Sequence, residues 1–171
     1  RTPNELFSAT SPFVMEHKGK WLAWYCSGTN WHDIDGKLEH TYDLKLATSS
    51  DGYSWKQKNE VAISQKSKFE AYCMPAIIKR NDTFYMWYSF RGSRGFRNGS
   101  SDAYRLGLAK SMDLKKWERI DNEAGIDLSP NGFDSEMIAY PCIFELDGKT
   151  IMFYNGNGFG RDGFGMATLN E

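Results

Sequence analysis

Three acidic residues stand where their type and spacing could do chemistry. Glu70 lies in Phe69-Glu-Ala-Tyr-Cys-Met-Pro75, and Asp134 and Glu136 lie in Phe133-Asp-Ser-Glu-Met-Ile-Ala-Tyr-Pro141. Counted back from the prolines, Glu70 corresponds to Glu136; counted forward from the phenylalanines, it corresponds to Asp134. Both registers stand. Carboxyl groups that converge can act as general acid, base or nucleophile, and glycosidic cleavage needs one to protonate the leaving oxygen and another to activate water or attack. The plainer reading is that these acids cap strand ends or pair with Arg91 and Arg161.

Around them lie groups suited to holding a polar ligand. Arg91-Gly-Ser-Arg-Gly-Phe-Arg97 carries guanidinium groups able to grip a carboxylate or phosphate in bidentate fashion, Arg91 first among them. Trp31 offers an aromatic face for the apolar side of a sugar ring, and His32 a neutral ring nitrogen. Asn155 and Asn157 both donate and accept, as sugar hydroxyls require. Tyr140 and Arg161 complete the candidate binding set. Each has an ordinary alternative: a solvated arginine loop, a tryptophan that closes its own loop, glycine-flanked asparagines that only shape a turn. Gly156-Asn-Gly158 is not a phosphate cradle, because no helix pattern follows it.

The elements that position these residues repeat three times. Pro12-Phe-Val-Met15, Pro75-Ala-Ile-Ile78 and Pro141-Cys-Ile-Phe144 each lead through a short turn into an aromatic run: Trp21-Leu-Ala-Trp-Tyr25, Thr83-Phe-Tyr-Met-Trp-Tyr88 and Ile151-Met-Phe-Tyr154. A third run follows in each: Leu44-Lys-Leu-Ala47, Leu106-Gly-Leu-Ala109 and Phe164-Gly-Met-Ala167. The first two copies then pass through Ser49-Ser-Asp-Gly52 or Ser111-Met-Asp-Leu114 to a tryptophan, Trp55 or Trp117. The prolines stand 63 and 66 residues apart, and a period with this content marks one structural unit repeated.

Four short antiparallel strands ending on a tryptophan describe a β-propeller blade. The expected fold is therefore all-β: a propeller of four-stranded antiparallel blades in a single domain over 1–171. The blades span about 10–58, 73–121 and 139–169. The third stops after three strands, so the chain is expected to be about three blades of a larger ring. Trp24, Trp55, Trp87 and Trp117 recur in register and are expected in the core, with Met15, Met86 and Met152 as packing residues. Strand parity puts the tight turns on one face. The long segments 27–42, 92–103 and 155–163 then fall as loops on the other, where a scaffold presents its site.

Composition excludes several classes. A net charge of −1 with acids and bases mixed gives no electrostatic case for nucleic acid or an anionic membrane. No apolar run approaches a spanning helix, and Arg1-Thr-Pro-Asn-Glu5 is unlike a signal peptide. Cys26, Cys73 and Cys142, odd in number and without a CxxC pair, fit reduced core thiols, and so a cytoplasmic setting, better than a disulfide framework or a metal cluster.

The order of proline strand, glycine turn, aromatic strand, long segment, Leu-Ala-x-Ser, aspartate turn and tryptophan resembles the five-bladed propellers of the arabinanase, levansucrase and invertase superfamily, glycoside hydrolase families 43, 32 and 68 and their relatives. Ser49-Ser-Asp-Gly-Tyr-Ser-Trp55 and Met112-Asp-Leu-Lys-Lys-Trp117 carry the likeness, which spans nearly all of residues 10–169. It implies a glycoside hydrolase with acids from successive inner strands around a funnel, Glu136 as general acid and Glu70 or Asp134 beside it. It also implies a carbohydrate partner and about two further blades, from the same protein or from a self-associated copy, to bring a third acid. No cofactor is implied beyond the calcium ion that some family 43 members hold on the axis. The alternatives are a non-catalytic carbohydrate-binding propeller and a structural module whose Arg91–Arg97 loop contacts protein.

Overall fold

A computed structural model describes residues 7–169 of the chain; Arg1-Thr-Pro-Asn-Glu5 lies outside them. Three separate antiparallel sheets form, as the threefold repeat requires. The first orders β1 (Ser8–His17), β2 (Lys20–Ile34), β3 (Lys37–Ser49) and β4 (Lys56–Val61). The second orders β5 (Ala71–Arg80), β6 (Thr83–Arg91), β7 (Arg105–Ser111) and β8 (Glu118–Arg119). The third has three strands, β9 (Ala139–Leu146), β10 (Lys149–Asn155) and β11 (Phe164–Thr168). This is the blade architecture of a partial propeller.

Neighbouring blades bury their facing sides. Between the first and second sit Trp24, Leu44, Leu46, Ile63, Tyr72, Ile77, Met86 and Tyr88, with Trp24 and Trp117 edge to face at 6.0 Å between centroids. Between the second and third sit Ile78, Trp87, Leu106, Leu108, Ile138, Met152 and Tyr154. Alternation along a strand sends successive residues to opposite faces, so Ile77 serves one boundary and Ile78 the next.

The same alternation explains the open face of the first blade. Val14, Trp21, Tyr25 and Trp55 occupy the repeat positions of Ile77, Phe84, Tyr88 and Trp117, which the first blade covers in the second. They line a groove of about 680 Å³ instead. Trp55 therefore departs from its expected place in the core: it is half-buried, packed on Ala23, Tyr25 and Ala47, because no sheet among the described residues lies across from it.

The aspartate turns recur in matching detail. Asp51 Oδ1 accepts from the amides of Tyr53 and Ser54 at 2.8 and 2.7 Å, and Asp113 Oδ1 accepts from those of Lys115 and Lys116 at 2.9 Å each. Those amide bonds, with the Ser49 hydroxyl, hold the Asp51 carboxyl down to about 2.

Segment 27–42 is not a loop. β2 and β3 continue as one long hairpin arm and turn at Asp35-Gly36, both at positive φ (53° and 79°), the twist that suits a two-residue hairpin. Trp31 and His32 thus stand on β2, opposite His40 and Glu39.

Candidate functional site

Each inner strand breaks register at its proline. The shifts fall between Thr10 and Phe13 in β1, between Cys73 and Ala76 in β5, and in the β9–β10 pairing between the Asn155–Ala139 and Phe153–Cys142 pairs. Proline has no N–H for the ladder, so the strand bulges there. The residue before each proline takes a left-handed conformation: Ser11 at φ 51°, Met74 at 50° and Tyr140 at 60°. Side chains other than glycine rarely adopt it, and such corners collect at binding and catalytic sites.

All three corners open on one cavity of about 530 Å³ between the inner strands. Ser8, Thr10, Cys26, His40, Tyr42, Cys73 and Tyr104 complete its lining. The Tyr104 ring lies 5.6 Å from that of Tyr140 and 6.0 Å from Phe159. The Tyr42 and Tyr104 hydroxyls share a short hydrogen bond, to which Arg91 Nε adds a donor at 3.1 Å on Tyr42. Burial raises both phenols above their ordinary value, so they are hydroxyls rather than phenolates. No carboxylate is among the lining residues.

The three candidate acids occupy three different settings. Glu70 is tied into a network of the second blade: Arg119 Nη1 at 3.1 Å, the Lys66 amide at 2.8 Å and the Tyr72 hydroxyl. Burial pushes its carboxyl up, but Tyr72, Lys66 and Arg119 outweigh this and hold it below its ordinary value. Asp134 is buried and accepts from the Tyr154 hydroxyl at 2.8 Å. Glu136 is exposed. Its carboxyl lies so close to Gly99, at φ 67°, that a Cβ there would stand 2.5 Å from Oε2.

The candidate binding residues divide between structural and open positions. Asn157 is buried and committed on both sides. Its Oδ1 accepts from the Glu136 and Met137 amides at 2.8 and 3.0 Å, and its Nδ2 donates to the Gly132 carbonyl at 3.0 Å. Asn155 Nδ2 donates to the Phe159 carbonyl at 3.1 Å. Arg91 is buried rather than looped into solvent. Of its loop companions, Arg97 pairs with Glu39 at 2.5 Å. Arg161 is exposed and paired with Asp162 at 2.7 Å. Trp31 is exposed, tilted on His40 at 5.0 Å, and His32 reaches the Thr41 hydroxyl at 3.1 Å. Tyr140 lines the cavity.

Sequence reasoning missed Tyr42, Tyr104 and His40. The repeat held the signal for the first two: each stands two positions before the matched Leu44 or Leu106, Tyr42 within β3 and Tyr104 just before β7. Among the described residues no group of three or more His, Cys, Asp or Glu side chains is placed to hold a metal ion. No helix among them is long and apolar enough to cross a membrane.

Comparison with known proteins agrees with the fold. No protein-family model matches the chain. Uncharacterized proteins MT1551 and Rv1502 of two Mycobacterium tuberculosis strains are each 34% identical over 166 residues, 96% of this chain and 52% of theirs. The chain thus spans about half the length of the curated relatives it matches. Among solved structures, Zg3597, a family 117 glycoside hydrolase of Zobellia galactanivorans, superposes on all of this chain and 55% of its own, with a TM-score of 0.81 and 17% identity. The Bombyx mori GH32 β-fructofuranosidase BmSUC1 covers 87% of this chain over 30% of its own, at 0.63 and 25%. A thermostable family-43 glycoside hydrolase covers 85% over 41%, at 0.61 and 20%. The three blades are therefore those of a glycoside hydrolase-like propeller fold.

Proposed function

We propose that the chain forms three blades of a five-bladed propeller acting on a glycoside, and that the sugar enters the cavity between β1, β5 and β9. The observation that carries this reading is the threefold bulge, which brings Ser11, Met74 and Tyr140 to one opening in strained left-handed corners. Around it stand aromatic faces edged with hydroxyls, the combination that suits a sugar ring with one apolar face and a polar fringe. The volume lies within the range of small-ligand sites. Likeness to glycoside hydrolases supports the reading by analogy of fold.

On this reading Glu136 is the general acid. It alone of the three candidates is exposed, and its carboxylate makes no hydrogen bond to another described side chain. Glu70 and Asp134 support the site from within, through Arg119 and Tyr154. Arg91 and Asn157 act from behind it, while Trp31, His32, Asn155 and Arg161 extend the contact surface outward. A second carboxylate is supplied by further blades, for which relatives of about twice this length have room, or by a self-associated copy.

The test is Glu136→Gln in the full-length protein, assayed on a panel of aryl glycosides. Loss of general acid catalysis lowers turnover by about 10²–10⁴-fold; unchanged turnover removes Glu136 from the mechanism. A second reading, glycan binding without hydrolysis, is favoured by the absence of any carboxylate among the cavity's lining residues. It predicts saturable sugar binding with no product from the wild-type protein.

A further inference from the structure

Arg91 ends β6 beside the axial cavity with 1% of its surface exposed. Its three donor nitrogens are all engaged: Nε on the Tyr42 hydroxyl at 3.1 Å, Nη1 on the Gly92 carbonyl at 2.7 Å and Nη2 on the His40 carbonyl at 2.8 Å. The guanidinium carbon lies 3.7 Å from the centroid of Phe96. None of these partners is negatively charged. Among the described residues no carboxylate lies within ion-pair distance of Arg91. Of the acids nearby, Glu39 is taken by Arg97, and Asp43 accepts from Gln65 at 2.8 Å. Glu39 attracts Arg91 from beyond ion-pair distance, but a buried charge without a directly paired counter-charge is still costly, and neutral hydrogen-bond partners offset only part of that cost.

The direction of the hydrogen bonds decides what the cavity offers. A guanidinium only donates, so the Tyr42 oxygen accepts from Arg91. The bond between the Tyr42 and Tyr104 hydroxyls uses one of their two protons, in either direction, and the Tyr104 oxygen also accepts from the Cys73 thiol at 3.7 Å. The other phenol proton is left for Tyr140, whose ring adjoins that of Tyr104, or for the cavity that all three residues line. Burial keeps all three phenols protonated. A relay of donors with a cation at its root and no anion at its tip is complementary to an incoming negative oxygen.

We propose that the axial cavity receives the carboxylate of an acidic sugar, a uronate, with Tyr104 and Tyr140 as its hydrogen-bond donors and Arg91 as the buried counter-charge. One buried cation matches one negative charge, which selects a carboxylate over a dianionic phosphate. The assignment rests on the axial cavity being the sugar site proposed above.

The experiment is calorimetric titration of the full-length protein with galacturonate, galactose, glucuronate, glucose and glucose 6-phosphate. Each uronate is expected to bind roughly tenfold or more tightly than its neutral counterpart, as charge-assisted hydrogen bonds imply. Tyr104→Phe and, as a second and less buried change, Tyr140→Phe each remove one hydroxyl. Either is expected to cut the preference to about twofold or less while neutral-sugar binding falls less. Equal affinity for neutral and acidic sugars overturns the uronate assignment and leaves the sugar site standing. Tighter binding of the phosphate overturns the choice of a carboxylate. A preference untouched by either substitution places the anion elsewhere, and no binding of any sugar overturns this proposal and the sugar site together.

Discussion

Arg119 Nη1 lies 3.1 Å from Glu70 Oε2, while Nη2 of the same guanidinium lies 2.8 Å from Asp121 Oδ2. One partly buried cation at the outer strand of the second blade thus holds two carboxylates, one on the connection from the first blade and one just beyond β8. Tyr72 and Tyr88 close the network through their hydroxyls, Tyr88 reaching Asp121 at 2.6 Å.

Removing Arg119 strands both acids. Arg119→Met is expected to destabilise the chain by about 3–5 kcal/mol, the usual result of breaking a buried pair from one side. Urea denaturation at pH 7 measures it. Glu70 and Asp121 are both held below their ordinary values of 4.5 and 3.8, so their contribution is full above those values and is lost as pH falls through the lower, folded-state ones. The gap between wild type and variant therefore narrows as the pH is lowered past 3.8; a gap that stays constant to pH 2 would falsify the ionic account.

The two faces of the first blade differ in what they lose on truncation. Ile77→Ala, at a packed boundary, is expected to cost about 2–5 kcal/mol. Val14→Ala, at the equivalent position on the open face and 43% exposed, costs about 1 kcal/mol or less in the 171-residue chain. The same denaturation curves measure both. Equal losses would mean that the open face is covered in solution.

Asn157 bridges two adjacent amides in the connection just before β9. Asn157→Ala leaves the Glu136 and Met137 N–H groups without their acceptor, at about 1–3 kcal/mol for each that stays buried. Asn157→Asp keeps an acceptor and recovers part of the loss. Thermal melting gives the stability, and amide exchange at 136 and 137 locates it. Unaltered exchange in the alanine variant would count against the bridge.

The thiols are expected to react unequally. Burial pushes Cys26 up to about 12 and Cys73 up to about 11, so both stay protonated near neutral pH, whereas Cys142 is exposed. Iodoacetamide at pH 8 should label one thiol per folded chain and three after denaturation. Rapid labelling of Cys73 in the native state would show that the cavity wall opens.

Much of the fold was legible because the repeat is written in side-chain types that packing demands. Pro12, Pro75 and Pro141 mark bulges, Trp24 and Trp87 fill successive boundaries, and each aspartate turn folds on its own carboxylate. The β2–β3 arm was not legible as strand, although Asp35-Gly36 is a hairpin signal, because Trp31-His-Asp33 with its polar neighbours reads as loop when no core lies beneath it. Arg91 reads in sequence as an anion clamp or as part of a solvated loop. Its burial depends on Phe96, Tyr42 and Tyr104, which come from three separate segments, and no local pattern announces such a meeting. The acids were conspicuous for their charge, yet the cavity is lined by phenols; chemical type identified candidates, but only tertiary structure could sort Glu70 into a brace and Glu136 onto the surface.

The corners at Ser11, Met74 and Tyr140 carry three unlike side chains on one backbone shape. The main chain, held by a proline and a bulge, therefore sets each station, and what occupies it can be exchanged without rebuilding the strand. Aspartate and asparagine tolerate the left-handed conformation better than methionine does. An acid introduced at position 74 would meet a backbone that already suits it, so this frame stands a single codon change or two away from an opening with very different reactivity.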